Sequence, residues 1–203
     1  MLTGFPILST LIWLPIVGGL LVLFAGRNNP ALAKWLSLFT VGLTFILSIP
    51  LWTGFDTTTA SMQFVENVPW IPMFNVNYHL GIDGLSMPLV LLTTFTQVLV
   101  IVSAWDVIKE RVEQYMGAFL IMGGIMVGVF VSLDSILFYV FWEALLIPMF
   151  IVIGKWGGPK RVYATLKFFL YTFLGSVFML VAFIYMYAQS GSFSILDFQG
   201  MHL

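Results

Sequence analysis

The stretch "SILFYVFWEALLIPMFIVIG", residues 135–154, runs for twenty positions with one charged side chain, Glu143. A segment of that length and character crosses the ~30 Å hydrocarbon layer as a single α-helix, because a rise of about 1.5 Å per residue makes roughly twenty apolar residues the required number. Glu143 stands eight residues past Ser135, about 12 Å along such a helix and close to the bilayer centre. Reading 135–154 as a membrane span decides the fold class and puts a carboxylate where a charge is most costly.

Five more runs of the same kind surround it, at 5–24, 35–52, 85–105, 114–133 and 168–188. The sequence therefore predicts an all-α polytopic membrane protein with about six transmembrane helices. Only the span at 135–154 carries an ionisable residue near its middle. Of 203 residues, 60% are hydrophobic and 8% are charged, far below the roughly 25% charged content of soluble domains. The formal net charge of -1 leaves no basic face for nucleic acid. Cysteine is absent, which excludes thiol catalysis and iron-sulfur ligation within this chain. The two histidines, His79 and His202, are too far apart to suggest a metal site. No basic residue precedes Arg27, so the apolar N-terminus reads as a retained span and not as a cleaved signal.

All eight Lys and Arg residues fall in or beside the connections after spans one, three and five: Arg27, Lys34, Lys109, Arg111, Lys155, Lys160, Arg161 and Lys167. Basic residues flanking spans stay on the cytoplasmic side. Both ends of the segment are accordingly expected to be extracytoplasmic, in a bacterial cytoplasmic (inner) membrane. The chain reads as one transmembrane domain over 1–203. Residues 1–110 hold spans one to three with a long extracytoplasmic loop at 53–84, and residues 111–203 hold spans four to six. Within that loop, "FNVNYHL" alternates Phe74, Val76, Tyr78 and Leu80 against polar neighbours, which predicts a short strand.

An ionisable side chain at a helix centre costs about 2.5 to 3.5 kcal/mol on insertion scales, and such residues face protein or water and mark ion paths. Burial disfavours a carboxylate and a nearby cation favours it, so an acid held between these effects takes up and releases protons. Glu143 is the first candidate for that role; the alternative is an inter-helix tie. Pro148 removes a backbone donor five residues on, either to line a cavity or only to kink the helix. Lys167 either snorkels to the interface or, if span six begins near Tyr163, lies inside the helix as a partner for Glu143. Asp83 and Asp134 precede spans three and five, as helix N-caps do. His79 reads as a hydrogen-bonded surface residue, and the pairs Gly18-Gly19 and Gly123-Gly124 as close-packing positions.

Three motifs carry a resemblance: "YHLGIDGLSMPLVLLT" (78–93), "FYVFWEALLIPMF" (138–150) and "ATLKFFLYT" (164–172). In this order and spacing the chain resembles the chain M subunits of proton-pumping NADH:quinone oxidoreductase, respiratory complex I. The resemblance implies the N-terminal part of an antiporter-like fold with inverted five-helix repeats, the first of which starts within 111–203. It covers only about two-fifths of a typical member, so the chain is expected to be a fragment or a truncated product. It further implies a proton-translocating role within an oxidoreductase, with Glu143 and Lys167 as proton-transfer residues, and a hetero-oligomer with other membrane-arm subunits in the lipid bilayer. No cofactor is expected in this chain; NADH, FMN, iron-sulfur clusters and quinone belong to partner subunits. The rivals are a subunit of a multisubunit cation/proton antiporter or membrane-bound hydrogenase, and a structural membrane scaffold.

Overall fold

Residues 5–199, which the computed structural model describes, form six long helices and one β-hairpin; His202 lies outside them. The order is α1 (Ile7–Ala25), α2 (Pro30–Thr53), β1 (Gln63–Ile71), β2 (Val76–Ile82), α3 (Ser86–Val107), α4 (Val112–Val131), α5 (Ser135–Trp156), α6 (Arg161–Ser190) and a short α7 (Ile195–Gln199). Each of α1 to α6 is long and apolar enough to cross a membrane. The expected six-span architecture is therefore present. Span six begins at Arg161 and not at 168. Its two charges, Arg161 and Lys167, sit in the first two turns, where long apolar stems carry the charged heads outward. Gly191 ends α6 in the left-handed conformation at φ 73°, and its N–H donates to Tyr187 O at 2.7 Å, a glycine C-cap.

α4 is the hub, packing on α1, α2, α3 and α5. Lipid tails are as apolar as the helices, so association relies on close approach and on hydrogen bonds between helices. The glycines provide that approach. A Cβ built on Gly19 would lie 2.8 Å from Gly117 O, and one built on Gly117 would lie 2.9 Å from Gly19 O. Gly124 faces the carbonyl of Ile12 with no room for a side chain, and Gly18 faces Thr40 on α2. The glycine pairs thus act as close-packing positions. Where α2 meets α3, Ser48 and Thr94 join hydroxyls at 2.9 Å, both buried.

The loop contains two strands where the alternation at 74–80 predicts one. β1 and β2 pair antiparallel, with Glu66 opposite Leu80 and Val68 opposite Tyr78. Asn75, at φ 54°, closes the turn in a left-handed conformation that Asn tolerates. The hairpin is fastened to the bundle at several points. The Glu66 carboxylate accepts from Leu8 N at 2.8 Å, from Ser9 N at 3.2 Å and from the Ser9 hydroxyl, satisfying donors left open at the start of α1. Leu133 N donates to His79 O at 2.8 Å. Asp134 accepts from Ile136 N and Leu137 N with one oxygen, capping α5, and from Asn77 N with the other. Across the same turn, Ser135 N donates to Phe193 O at 2.8 Å and Ile195 N to Leu133 O at 2.9 Å. Just ahead of α3, the Asp83 carboxylate accepts from Leu85 N at 3.1 Å and Ser86 N at 2.7 Å. Asp134 is the N-cap the sequence suggests, whereas Leu85 occupies that position in α3 and Asp83 holds the turn ahead of it. At this end lie Asp56, Glu66, Asp83, Asp134 and Asp197 with no Lys or Arg, while all eight basic residues occupy the opposite end.

Candidate functional site

Glu143 lies on the side of α5 that meets α6. Three pairs mark this seam: Phe150 with Phe169, ring centroids 5.7 Å apart; Phe138 with Phe183 at 6.2 Å; and Gly154 against Thr165. Positions 139, 143 and 150 recur at intervals of four and seven, which keeps them on one helix face. Tyr139, one turn before Glu143, faces both that carboxylate and Ser176 of α6. Ser176 and Thr165 are the only α6 residues that are buried. The seam is therefore aromatic along most of its length and polar at the level of Glu143.

One carboxylate oxygen, Oε1 of Glu143, is buried and accepts no hydrogen bond among the described residues. A buried polar atom without a partner is satisfied by a proton or by a water molecule, and both belong to the chemistry of proton transfer. Pro148 removes a helix donor nearby. It has no N–H to offer the carbonyl four residues back, which is that of Ala144, the residue after Glu143. Pro148 itself is buried.

Lys167 lies inside α6, in its second turn, as the earlier helix start requires. The structure does not bring it to Glu143. It is two residues beyond Thr165, the residue that packs on α5, so it is rotated about 200° away from that contact. Its level along the helix, between the Gly154–Thr165 and Phe150–Phe169 contacts, is about nine residues or 13 Å from Glu143. The exposed ammonium sits 5.8 Å from the ring centroids of both Tyr163 and Tyr171, an aromatic cradle one turn to either side.

Sequence reasoning missed three polar residues in the bundle. Tyr139 was visible as the i−4 neighbour of an unusual Glu. Ser176 had no local signal, because its relevance comes from a neighbouring helix. Gln97, in α3, carries no charge to make it stand out; its side chain is buried against the backbone of Gly123, and its Nε2 donates to Phe119 O at 3.4 Å and Leu120 O at 3.5 Å. Its Oε1 is the other buried, unpartnered side-chain oxygen among the described residues. His79 is half-buried on β2, and its pKa lies below the usual histidine value because burial outweighs the attraction of nearby Asp134. Among the described residues no group of His, Cys, Asp and Glu is placed to hold a metal ion.

Residues 32–133 match the family described as NADH-ubiquinone oxidoreductase chain 4, amino terminus, and residues 132–202 match the family described as NADH:quinone oxidoreductase/Mrp antiporter, TM. NADH-quinone oxidoreductase subunit M of Rhodobacter capsulatus is 49% identical over 193 residues, which cover 93% of this chain and 37% of that protein. The chain thus spans under two-fifths of that relative's length. A chain of respiratory complex I from Thermus thermophilus with bound NADH superposes with a TM-score of 0.80 at 30% identity, covering 94% of this chain and 38% of the other. A chain of the Mrp complex of Dietzia sp. superposes with a TM-score of 0.78 at 18% identity over 92% of this chain and 20% of its own length, a likeness of fold alone.

Proposed function

The chain belongs to the NADH:quinone oxidoreductase chain 4 (subunit M) family, and from that premise we propose that it is a membrane-arm subunit coupling NADH-to-quinone electron transfer to proton translocation, with Glu143 as the buried proton-carrying group. The observation that carries this reading is the Glu143 carboxylate itself, near the centre of α5 with one oxygen buried and unpartnered. An inter-helix tie would spend both oxygens on fixed donors; this one keeps an oxygen free for a proton. The carbonyl of Ala144, to which Pro148 offers no N–H, and the hydroxyls of Tyr139 and Ser176 are further partners for a water at Glu143.

Lys167 serves as a second proton-transfer group from the other side of α6. Because it is about 13 Å along the helix from Glu143 and turned away, it acts through intervening water or further side chains and not as a direct ion pair. NADH, flavin, iron-sulfur clusters and quinone are handled by partner subunits, and this chain joins the other membrane-arm subunits in a hetero-oligomer. The basic end of the bundle faces the cytoplasm and the hairpin end faces out, in a bacterial inner membrane.

The subunit of a multisubunit cation/proton antiporter is the second reading, favoured by the match of residues 132–202 to a family that includes Mrp antiporters. NADH oxidation that co-purifies with the chain separates the two. For the main reading, Glu143→Gln in the full-length subunit keeps shape and hydrogen bonding but cannot titrate. Proton pumping and coupled quinone reduction should fall by about a hundredfold or more, the usual size of a lost proton-transfer group, while assembly persists. Glu143→Asp should retain part of the activity. A Gln variant that assembles and pumps like wild type would reduce Glu143 to a tie.

A further inference from the structure

At the basic end of the bundle, a groove of about 420 Å³ opens between α1, α4 and α5. Away from the basic end its wall is apolar and includes Leu23, Ile121, Ile147 and Pro148, with Ile147 exposed on the outer side of α5. Its mouth is charged, with Arg27 beyond the end of α1, Glu113 in the first turn of α4 and Lys155 in the last turn of α5. From Ile147 to Lys155 the wall rises about 12 Å, the depth over which a bilayer passes from hydrocarbon to headgroups. We propose that this groove binds one anionic phospholipid from the leaflet at the basic end, its phosphodiester held between Arg27 and Lys155 and an acyl chain laid along α5 as far as Pro148.

Three features favour that occupant. The mouth carries two cations and one carboxylate, a net charge of +1 that a single phosphodiester neutralises. Lys155 donates to the neutral amide of Gln114, which orients the ammonium while leaving its charge uncompensated by that partner. Arg27 is exposed and offers the planar fork that pairs with phosphate oxygens. A small soluble anion would use the mouth but not the apolar wall, and a hydrocarbon would use the wall but not the mouth. The charged mouth lies twelve residues, about 18 Å, along α5 from Glu143, so loss of the headgroup contacts is read separately from loss of the proton-carrying role.

The test uses the assembled membrane complex containing the full subunit, in nanodiscs of phosphatidylcholine doped with phosphatidylglycerol that bears a photoreactive acyl chain. Peptide mapping should place cross-links on the α5 segment around Ile147 and on α1 near Leu23. Arg27→Gln with Lys155→Gln should lower that yield by about tenfold, since each basic residue near a headgroup contributes appreciably. Cross-links to the outer face of α6 around Phe178, which reports lipid that is merely adjacent, should not change. Glu113→Gln removes the like charge and should raise the Ile147 yield. If photoreactive phosphatidylcholine labels Ile147 as well as the phosphatidylglycerol does, or if the double variant leaves the yield unaltered while the complex remains assembled, the groove has no anionic lipid site.

Discussion

α4 and α6 are both apolar helices, yet they are built for different neighbours. Eleven of the 20 residues of α4 are buried, four of them glycines: Gly117 and Gly124 admit α1 to backbone distance, while Gly123 and Gly128 receive the side chains of Gln97 on α3 and Phe141 on α5. In α6, 30 residues long, only Thr165 and Ser176 are buried, and large side chains such as Leu170, Tyr171, Phe178 and Tyr185 are exposed. Packing in lipid depends on shape, since there is little hydrophobic gain from bringing helices together. The α1–α4 half thus reads as a tightly packed frame, and α6 as a helix touched by α5 on one side, along a seam that is aromatic except at the level of Glu143. The titratable residue belongs to that seam and not to the frame. Under the proposed proton-carrying role, the polar side chains at that level of the seam are what would hold water beside the carboxylate.

Glycine replacements give the sharpest break in this comparison. Gly124→Leu would drive a side chain into the carbonyl of Ile12, where backbone must move; overpacking of this kind typically costs about 1 to 3 kcal/mol, and more when backbone blocks relaxation. The variant subunit should largely disappear from the assembled complex on native gels. Gly175→Leu meets nothing within 4 Å and should assemble at wild-type level. Equal loss in both would mean that α6 is packed as tightly as α4.

The two unpartnered oxygens allow a second comparison, one in each half. Gln97 lies in the frame, with long bonds to Phe119 O and Leu120 O, lining a mostly apolar cavity of about 280 Å³. An unsatisfied buried acceptor costs about 1 to 3 kcal/mol, so Gln97→Leu should leave thermal stability unchanged or raised, with pumping intact. Glu143→Gln should likewise spare stability but, in contrast, abolish most pumping. If Gln97→Leu also stops pumping, the proton path extends into the frame.

Hydropathy made the frame legible because a span must be long and apolar whatever it packs against. Helix starts with clean caps, such as Asp134 before α5, were legible too. The start of α6 was not: Arg161 and Lys167 look like loop charges in a sequence, whereas snorkelling lets a helix carry them. β1 was hidden for a related reason. "QFVENVPWI" contains Glu66, Asn67 and Pro69, poor strand formers, and its conformation is set by partners far along the chain: β2 on one side and the first turn of α1 on the other. Glu143 stood out by its isolation, while Ser176 became relevant only once α6 was laid against α5. The direction of Lys167 depended on which face of α6 that contact selected.

The hairpin clasp offers a smaller effect. Glu66→Ala removes the acceptor for Leu8 N and Ser9 N, leaving the α1 start uncapped. Loss of a cap costs about 0.5 to 2 kcal/mol, and the result should be faster hydrogen exchange in β1 and at the start of α1, with α6 unaffected. Protection that stays at wild-type level would show that strand pairing alone holds the hairpin.

The smallest effect concerns pH at the joint between the hairpin and the α4–α5 turn. His79 has its pKa below the ordinary value near 6.5, chiefly through burial, with Asp134 partly opposing. The folded joint therefore favours the neutral imidazole, and the released hairpin binds a proton more readily. By linkage, the contribution of His79 is fully present above about pH 6.5 and is lost as pH falls through the folded value. The reporter is the amide of Leu133, which donates to His79 O at 2.8 Å. After correction for intrinsic exchange rates, its protection should be greater at pH 7.5 than at pH 5.5. His79→Gln should flatten this dependence, because Gln does not titrate in the range. Amides within α4 itself, such as that of Leu120, lie in the frame and should show no such change. If protection of Leu133 rises on acidification, attraction between a protonated His79 and Asp134 outweighs the burial of the ring, and the joint tightens where it is expected to loosen.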